Sequence, residues 1–281
     1  MGTLYVVGTP IGNLEDLTLR AARVLAEVSL IAAEDTRVTR RLLNHLGVRV
    51  PLLSYNAHNA VERLPKLMDA LASGDVALVS DAGTPAVSDP GADLVARAAA
   101  AGFPVEVVPG VSALTAALSV SGFSADDFVF LGFLPRRSKD RRARLREFGG
   151  SPQTLAIFEA PHRLRASLVD LLAELGDRQV AVCRELTKLH EEVFHGLISQ
   201  AIEHFQAPRG ELVLVVRGSE PSAGKPGPSP AAIEEASTRL ERLRESGVRS
   251  RDAVAQVAAA MELPRNTVYG LWVETGRRNR G

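Results

Sequence analysis

Three loops hold most of the residues whose chemistry is worth naming, and each follows a run with the composition of a β-strand. The longest is Ser80-Asp81-Ala82-Gly83-Thr84-Pro85-Ala86-Val87-Ser88-Asp89-Pro90-Gly91, which leaves the run Val76 to Ser80. Its small residues let a ligand approach the backbone, its prolines fix φ, and its Ser, Thr and Asp offer short polar partners. A plainer reading is a strand-to-helix connection in which Asp89 caps a helix and Pro90 takes its first position. Thr9-Pro10-Ile11-Gly12-Asn13 follows Leu4 to Gly8, and Pro109-Gly110-Val111-Ser112-Ala113 follows Val105 to Val108. The first of these lacks both the G-x-G-x-x-G spacing of a dinucleotide site and the Lys-Ser/Thr end of a P-loop, so a tight turn is the competing reading.

Ala33-Glu34-Asp35-Thr36-Arg37 places two carboxylates, a hydroxyl and a guanidinium at the end of another strand-like run. Ligands of open parallel sheets bind at the carboxyl ends of the strands. Asp35 is also well placed to cap a helix starting near Arg37, a role that leaves Glu34 and Arg37 unexplained. His58 suits either a substrate contact or a solvent-facing helix start. Arg184 to Lys188 suits either a cleft wall or a salt-bridged strand end.

Elements that would position these groups alternate along the chain. Runs at Leu4 to Gly8, Val28 to Ala33, Leu52 to Tyr55, Val76 to Ser80 and Val105 to Val108 predict strands, separated by helix-length segments. That alternation predicts an α/β domain over residues 1–122 with a largely parallel sheet. A second α/β domain is expected over 123–218, with strands at Phe128 to Phe133, Thr154 to Phe158, Val180 to Cys183 and Leu212 to Val216. Residues 219–230, rich in Pro, Gly and Ser, read as a linker. Helical patterns then fill 231–281, where Ser250 to Ala258 and Leu263 to Tyr269 predict a helix-turn-helix-like pair carrying Arg265 on its second helix.

Length and composition narrow the class. The 281 residues are 46% hydrophobic and carry 33 basic against 33 acidic side chains, so a nucleic-acid surface must be local. The basic run Arg136-Arg137-Ser138-Lys139-Asp140-Arg141-Arg142 is the place for it, with phosphate contacts expected from Arg136, Arg137, Lys139, Arg141 and Arg142. A lone cysteine, Cys183 in an apolar strand-like run, reads as a small buried hydrophobe and argues for a reducing compartment. With no signal-like or membrane-length apolar segment, a soluble cytoplasmic protein is expected.

Taken together, Leu4 to Leu14, Ala33 to Arg37, Ser80 to Gly91, Pro109 to Ala113, Gly132 to Pro135 and Phe158-Glu159-Ala160-Pro161-His162-Arg163 resemble the tetrapyrrole-methylase superfamily. Within it, the signatures are most similar to those of the 16S rRNA cytidine 2′-O-methyltransferases. The resemblance implies a two-domain fold holding S-adenosylmethionine (SAM) in a cleft between domains, with a small helical C-terminal domain added. Carried over by motif position, the cofactor contacts would be Pro10, Ile11, Asp81, Ala82, Gly83, Thr84, Val87, Ser112 and Ala113, completed by Phe158, Glu159 and Gly196. The implied substrate is 16S rRNA of the small ribosomal subunit, and the implied assembly is a homodimer.

Methyl transfer to a ribose hydroxyl needs in-line positioning, exclusion of water and a base, and no metal in principle. Asp35 is the first choice of base, with Arg37 fixing it or binding phosphate. Glu34, Asp81 and Glu159 are the other candidates at strand ends, and Glu159 or His162 is the next choice after Asp35. His58 and Arg265 join the expected RNA contacts. Gly83-Thr84-Pro85 stands where the corrin and porphyrin enzymes resemble Gly-Asp-Pro, which weighs against a tetrapyrrole substrate; a tetrapyrrole or protein side chain is the alternative acceptor.

Overall fold

A computed structural model describes residues 1–219, 230–261, 263 and 265–278. The chain divides after Ser219 into two compact units.

The first unit opens with β1 (Leu4–Val7), α1 (Leu19–Glu27), β2 (Leu30–Ala33), α2 (Thr36–Leu46), β3 (Leu52–Ser54), α3 (Ala60–Ser73), β4 (Val76–Val79), α4 (Ala92–Ala100), β5 (Val105–Val108) and α5 (Ala113–Ser121). The strands form one parallel sheet in the order β3-β2-β4-β1-β5. Side chains alternate across it with the period of a pleated strand. Ala77 and Val79 join the core beneath α1 and α2, whereas Val76 and Leu78 join the core beneath α3 and α4. Connections from β1 and β2 therefore return on one face, and the connection from β4 returns on the other.

Caps fix where the chain turns from strand to helix. Thr18 accepts from the Ala21 N–H to start α1, and Asp35 accepts from the Arg37 N–H to start α2. The Asp89 cap of the plainer reading is not made. Gly91, at φ 137°, precedes α4, so the whole Ser80–Gly91 segment stays loop.

A second sheet follows, built from β6 (Phe128–Phe133), α6 (Ser138–Arg146), β7 (Thr154–Glu159), α7 (Leu164–Leu175), β8 (Gln179–Arg184), β9 (Glu192–Leu197), α8 (Ile198–His204) and β10 (Leu212–Val216). Its order is β6-β7-β10-β8-β9, with only β6 and β7 parallel. β9 was not expected from the sequence: Glu192, His195 and Gly196 break the apolar signal of a strand that sits at the sheet edge. β10 matters most, because it runs antiparallel to β7 and β8. Its first residue, Leu212, thus lies beside the last residues of both, Glu159 and Arg184.

The second unit contains α9 (Pro230–Glu245), α10 (Ser250–Ala260) and α11 (Arg265–Arg278), packed on Ala236, Leu240, Ala253, Val257 and Val268. Arg244 stacks over the Trp272 ring at 4.0 Å and donates to Thr275 at 3.1 Å. Tyr269 is exposed on α11. No helix among the described residues is long and apolar enough to cross a membrane.

Candidate active site

A cavity of about 390 Å³ opens at the carboxyl ends of the first sheet, with residues of the second sheet forming its other side. Ile11, Asp81, Ala82, Gly83, Thr84, Val87, Ser112 and Ala113 line it from the three small-residue loops. Phe133, Phe158, Leu186 and Val213 face them. Of the cofactor contacts expected in the first domain, only Pro10 falls outside. It borders a neighbouring cavity instead.

The loops are tied to one another through backbone. Thr9 and Gly83 exchange hydrogen bonds, N–H to carbonyl, at 2.9 and 3.0 Å. Gly8 and Gly110 touch directly, since a Cβ on Gly8 would stand 2.7 Å from the Gly110 nitrogen. Within the long loop, Ala86 and Ser88 both hold φ at 65°, a left-handed conformation that costs a residue with a Cβ about 1–2 kcal/mol. Bends of this kind turn successive peptide groups toward one side, which suits a loop that meets a ligand through its backbone.

The charge of the cavity is one-sided. Glu34, Asp81, Asp89, Glu159 and Glu211 line it, with no Lys, Arg or His among the described lining residues. Arg163 and Lys188 reach Glu159 and Glu211 from outside the lining, which leaves Glu34, Asp81 and Asp89 as the acids without an ion pair among the described residues. Partial burial, reinforced by mutual repulsion, raises the Glu34, Asp81 and Asp89 carboxyls above the ordinary carboxylate range. Two of these acids are held by the backbone of adjacent strand ends. The Asp35 N–H donates to Asp81 Oδ1 at 2.9 Å, and the Asp81 N–H donates to Glu34 Oε2 at 3.4 Å. Cys183 also lines the cavity, but burial pushes its thiol up to about 12, so it is a neutral wall and not a nucleophile.

A family model described as Tetrapyrrole (Corrin/Porphyrin) Methylases matches residues 3–202. The chain belongs to this methylase family. It is 49% identical over 223 residues to the ribosomal RNA small subunit methyltransferase I of Thermotoga maritima, covering 78% of this chain and 100% of that relative. The protein of the same name from Halalkalibacterium halodurans is 44% identical over 276 residues, covering 96% of this chain and 94% of that one. Among solved structures, the uroporphyrin-III C-methyltransferase of Thermus thermophilus complexed with S-adenosylhomocysteine superposes with a TM-score of 0.57 at 24% identity, over 77% of this chain and 97% of that one. The fold class expected from the sequence is thereby established for this methylase.

Several expected residues lie outside the cavity or are already engaged at its wall. Asp35 is outside the cavity lining. Arg37 grips its carboxylate from Nε and Nη2, at 3.0 and 2.6 Å, and holds it at about 2. It is a cap and an ion-pair partner, not a poised base. Glu159 is buried and fully engaged: it accepts from the Ser167 hydroxyl and the Ala160 N–H, with the Arg163 guanidinium 3.3 Å away. Gly196 pairs with Val180, three residues along β8 from cavity-lining Cys183, or about 10 Å at a strand's rise per residue. His58 is exposed in the turn after β3 and does not reach the cavity.

The basic run also divides. Arg141 is buried with Nη2 2.6 Å from Asp170, and it donates to the Pro135 and Arg136 carbonyls, so it serves the fold and has no free face for phosphate. Arg142 and Arg146 share Glu174. Arg136, Arg137 and Lys139 are exposed, with no side-chain hydrogen bond or ion pair among the described residues. Arg184 pairs with Glu192, and Lys188 with Glu185 and Glu211, which is the salt-bridged strand end. The Arg265 side chain lies outside the described residues.

Sequence reading missed Phe133, Glu211, Leu212 and Val213 as cavity residues, whereas Asp89 and Leu186 lie in segments it had offered as a ligand loop and a cleft wall. Phe133 was inside a quoted signature, so its signal was present. Glu211 to Val213 had none, because only the reversal of β10 brings the start of that strand to the edge where the other strands end.

Proposed function

We propose that this chain transfers a methyl group from SAM to the ribose 2′-hydroxyl of a cytidine in 16S rRNA. The observation that carries the reading is an anionic cavity walled by backbone-rich loops, in a chain whose relatives are named ribosomal RNA small subunit methyltransferases. A sulfonium cofactor is cationic, and an enclosure whose Glu34, Asp81 and Asp89 carboxylates have no ion-pair partner among the described residues suits it. The residues fit the rest of the group as well. Gly83, at φ 79° and with Ile11 against its Cβ position, leaves backbone open to a ligand, and Phe158, Leu186 and Val213 offer an apolar wall. Ile11, Ala82 to Thr84, Val87, Ser112, Ala113 and Phe158 would hold the cofactor.

When bound, SAM supplies an electrophilic methyl group. The protein must hold the acceptor oxygen in line, keep water out and take the hydroxyl proton as the new O–CH3 bond forms and the S–CH3 bond breaks. We assign the proton to Asp81, with Glu34 beside it as the second candidate. Both line the cavity, both are oriented by backbone N–H groups, and a raised carboxyl is a better base than one held at about 2. Arg136, Arg137 and Lys139 would position the RNA through its phosphates. The reading includes a homodimer, as the resemblance implies, in the reducing, cytoplasmic compartment expected from the lone cysteine.

Incubating the full chain and labelled SAM with intact small subunits, free 16S rRNA and a tetrapyrrole precursor, then mapping the methyl group, tests the proposal. Label on a cytidine ribose supports it; label in the tetrapyrrole alone overturns it.

A further inference from the structure

Beside the first cavity lies a second, of about 530 Å³, on the other side of Ser80–Ala82. The two share Ile11, Asp81, Ala82 and Glu211 as a common wall. Its position follows from the winding of the first sheet. The connections from β1 and β2 return on the α1/α2 face while β4 between them exits toward α4, so beyond the buried Val79 it is the loop Ser80–Ala82 that borders the crevice. Such a switch in winding is where open α/β sheets make a binding crevice.

The lining suits a nucleotide. Leu14, Val38 and Leu42 give an apolar surface, and Arg41 supplies a cation with no hydrogen bond or ion pair among the described residues. Arg41 belongs to an unusually basic element. α2 reads TRVTRRLLNHL, with Arg37, Arg40 and Arg41 and no acidic residue, and Arg37 and Arg41 share one face at a spacing of four. Arg37 is taken by Asp35, which leaves Arg41 at the cavity. Lys188, the other cation of the lining, is committed to Glu185 and Glu211, and its stem lies against Gly12, where a Cβ would meet its Cγ at 2.3 Å. That contact closes one side of the crevice.

We infer that this second cavity receives the acceptor nucleotide of the RNA, with Arg41 on its phosphate and Asp81, common to both cavities, at its ribose hydroxyl. The inference rests on the methyl-transfer reading above and adds to it where the acceptor sits. It also moves part of the RNA contact from α6 to α2, a helix on which the sequence reading offered only Arg37 for phosphate, as an alternative to fixing Asp35.

The test uses the full-length enzyme, labelled SAM and small subunits, with kcat/KM measured across a salt series and SAM affinity measured by calorimetry. Arg41→Ala should lower kcat/KM for RNA by roughly tenfold and reduce the slope of log(kcat/KM) against log salt by about one, the signature of one lost phosphate contact. Arg41→Lys should restore the slope. Val38→Phe, which fills the crevice, should lower kcat/KM further, by roughly a hundredfold. In all three the SAM Kd should stay within about twofold of wild type. A SAM Kd that weakens in step with methylation would mean that the crevice holds cofactor, and would overturn the inference. Unchanged RNA kinetics and salt slope in Arg41→Ala would overturn it as well. If the wild-type enzyme leaves no methyl group on RNA, the methyl-transfer reading fails first and takes this inference with it.

Discussion

Asp81 and Asp35 are joined by a hydrogen bond from the Asp35 N–H to Asp81 Oδ1 at 2.9 Å, across the ends of two adjacent parallel strands. This bond orients the carboxylate that lines the cavity by means of the residue that does not. The two aspartates, of which the sequence reading put Asp35 first as the base, are thereby separated: Asp81 faces the ligand space, and Asp35 caps α2 and holds Arg37.

Removing the two carboxylates should therefore have unequal effects. Asp81→Asn keeps the size and can still accept the Asp35 N–H, but it cannot take a proton. Single-turnover methylation should fall by roughly 10²–10⁴-fold, the range of a lost general base. Asp35→Asn keeps the backbone N–H that orients Asp81 and should cost methylation less than about tenfold. Equal losses in the two variants would refute the assignment of Asp81.

The raised carboxyls Glu34, Asp81 and Asp89 predict a pH dependence of definite sign. A cationic ligand favours their charged forms, so SAM affinity should be full above the raised values and fall as pH drops through them, beginning above the ordinary carboxylate range. Stability of the cofactor-free protein runs the other way. Each group binds its proton more tightly folded than unfolded, so folding is favoured as pH falls toward the raised values, and the charged cluster costs stability above them. Asp89→Asn should accordingly raise the Tm of the cofactor-free protein by about 2 °C at neutral pH while weakening SAM binding. Calorimetric titration and thermal melts at pH 5 and 7.5 check both signs.

Gly8 and Gly110 set how closely the β1 and β5 loops approach. Gly8→Ala puts a Cβ 2.7 Å from the Gly110 nitrogen, a backbone clash that no rotamer change relieves. It should cost about 1–3 kcal/mol and displace Ser112 and Ala113 from the cavity wall, weakening SAM binding by roughly tenfold. Gly150→Ala, where nothing lies within 4 Å, should change stability by less than about 0.5 kcal/mol. Denaturant unfolding of both variants with and without SAM makes the comparison.

The first sheet was legible because its strands are short apolar runs whose ends carry Gly, Pro, Ser and Asp, a signal confined to neighbouring residues. The loops that carry eight of the expected cavity residues, from Ile11 through Ala113, follow from that same pattern, while the residues themselves were named by the family resemblance. What stayed hidden depends on pairing between distant segments. Glu211 reaches the cavity only because β10 reverses, and Gly196 leaves it because the β8–β9 register puts it at the far end. The capping alternative for Asp35 was open in the sequence, and only the positions of Arg37 and Asp81 decide it.

The basic run after β6 gives the last prediction, because burial splits residues that the sequence presents alike. Arg141 and Asp170 form a nearly buried pair, with the Ser138 hydroxyl also donating to Asp170 at 2.9 Å. Arg141→Ala would leave Asp170 charged without its partner and release the Pro135 and Arg136 carbonyls, at a cost of about 3–5 kcal/mol. Arg136 and Arg137 are exposed on the segment leading into α6, so Arg136→Ala with Arg137→Ala should change stability by less than about 1 kcal/mol. The same double variant should weaken RNA binding and reduce its salt slope by up to about two, one for each phosphate contact. Denaturant melts paired with filter binding across a salt series separate the two roles. An Arg136/Arg137 double variant that unfolds early, or that binds RNA with an unchanged salt slope, would count against phosphate binding by this segment.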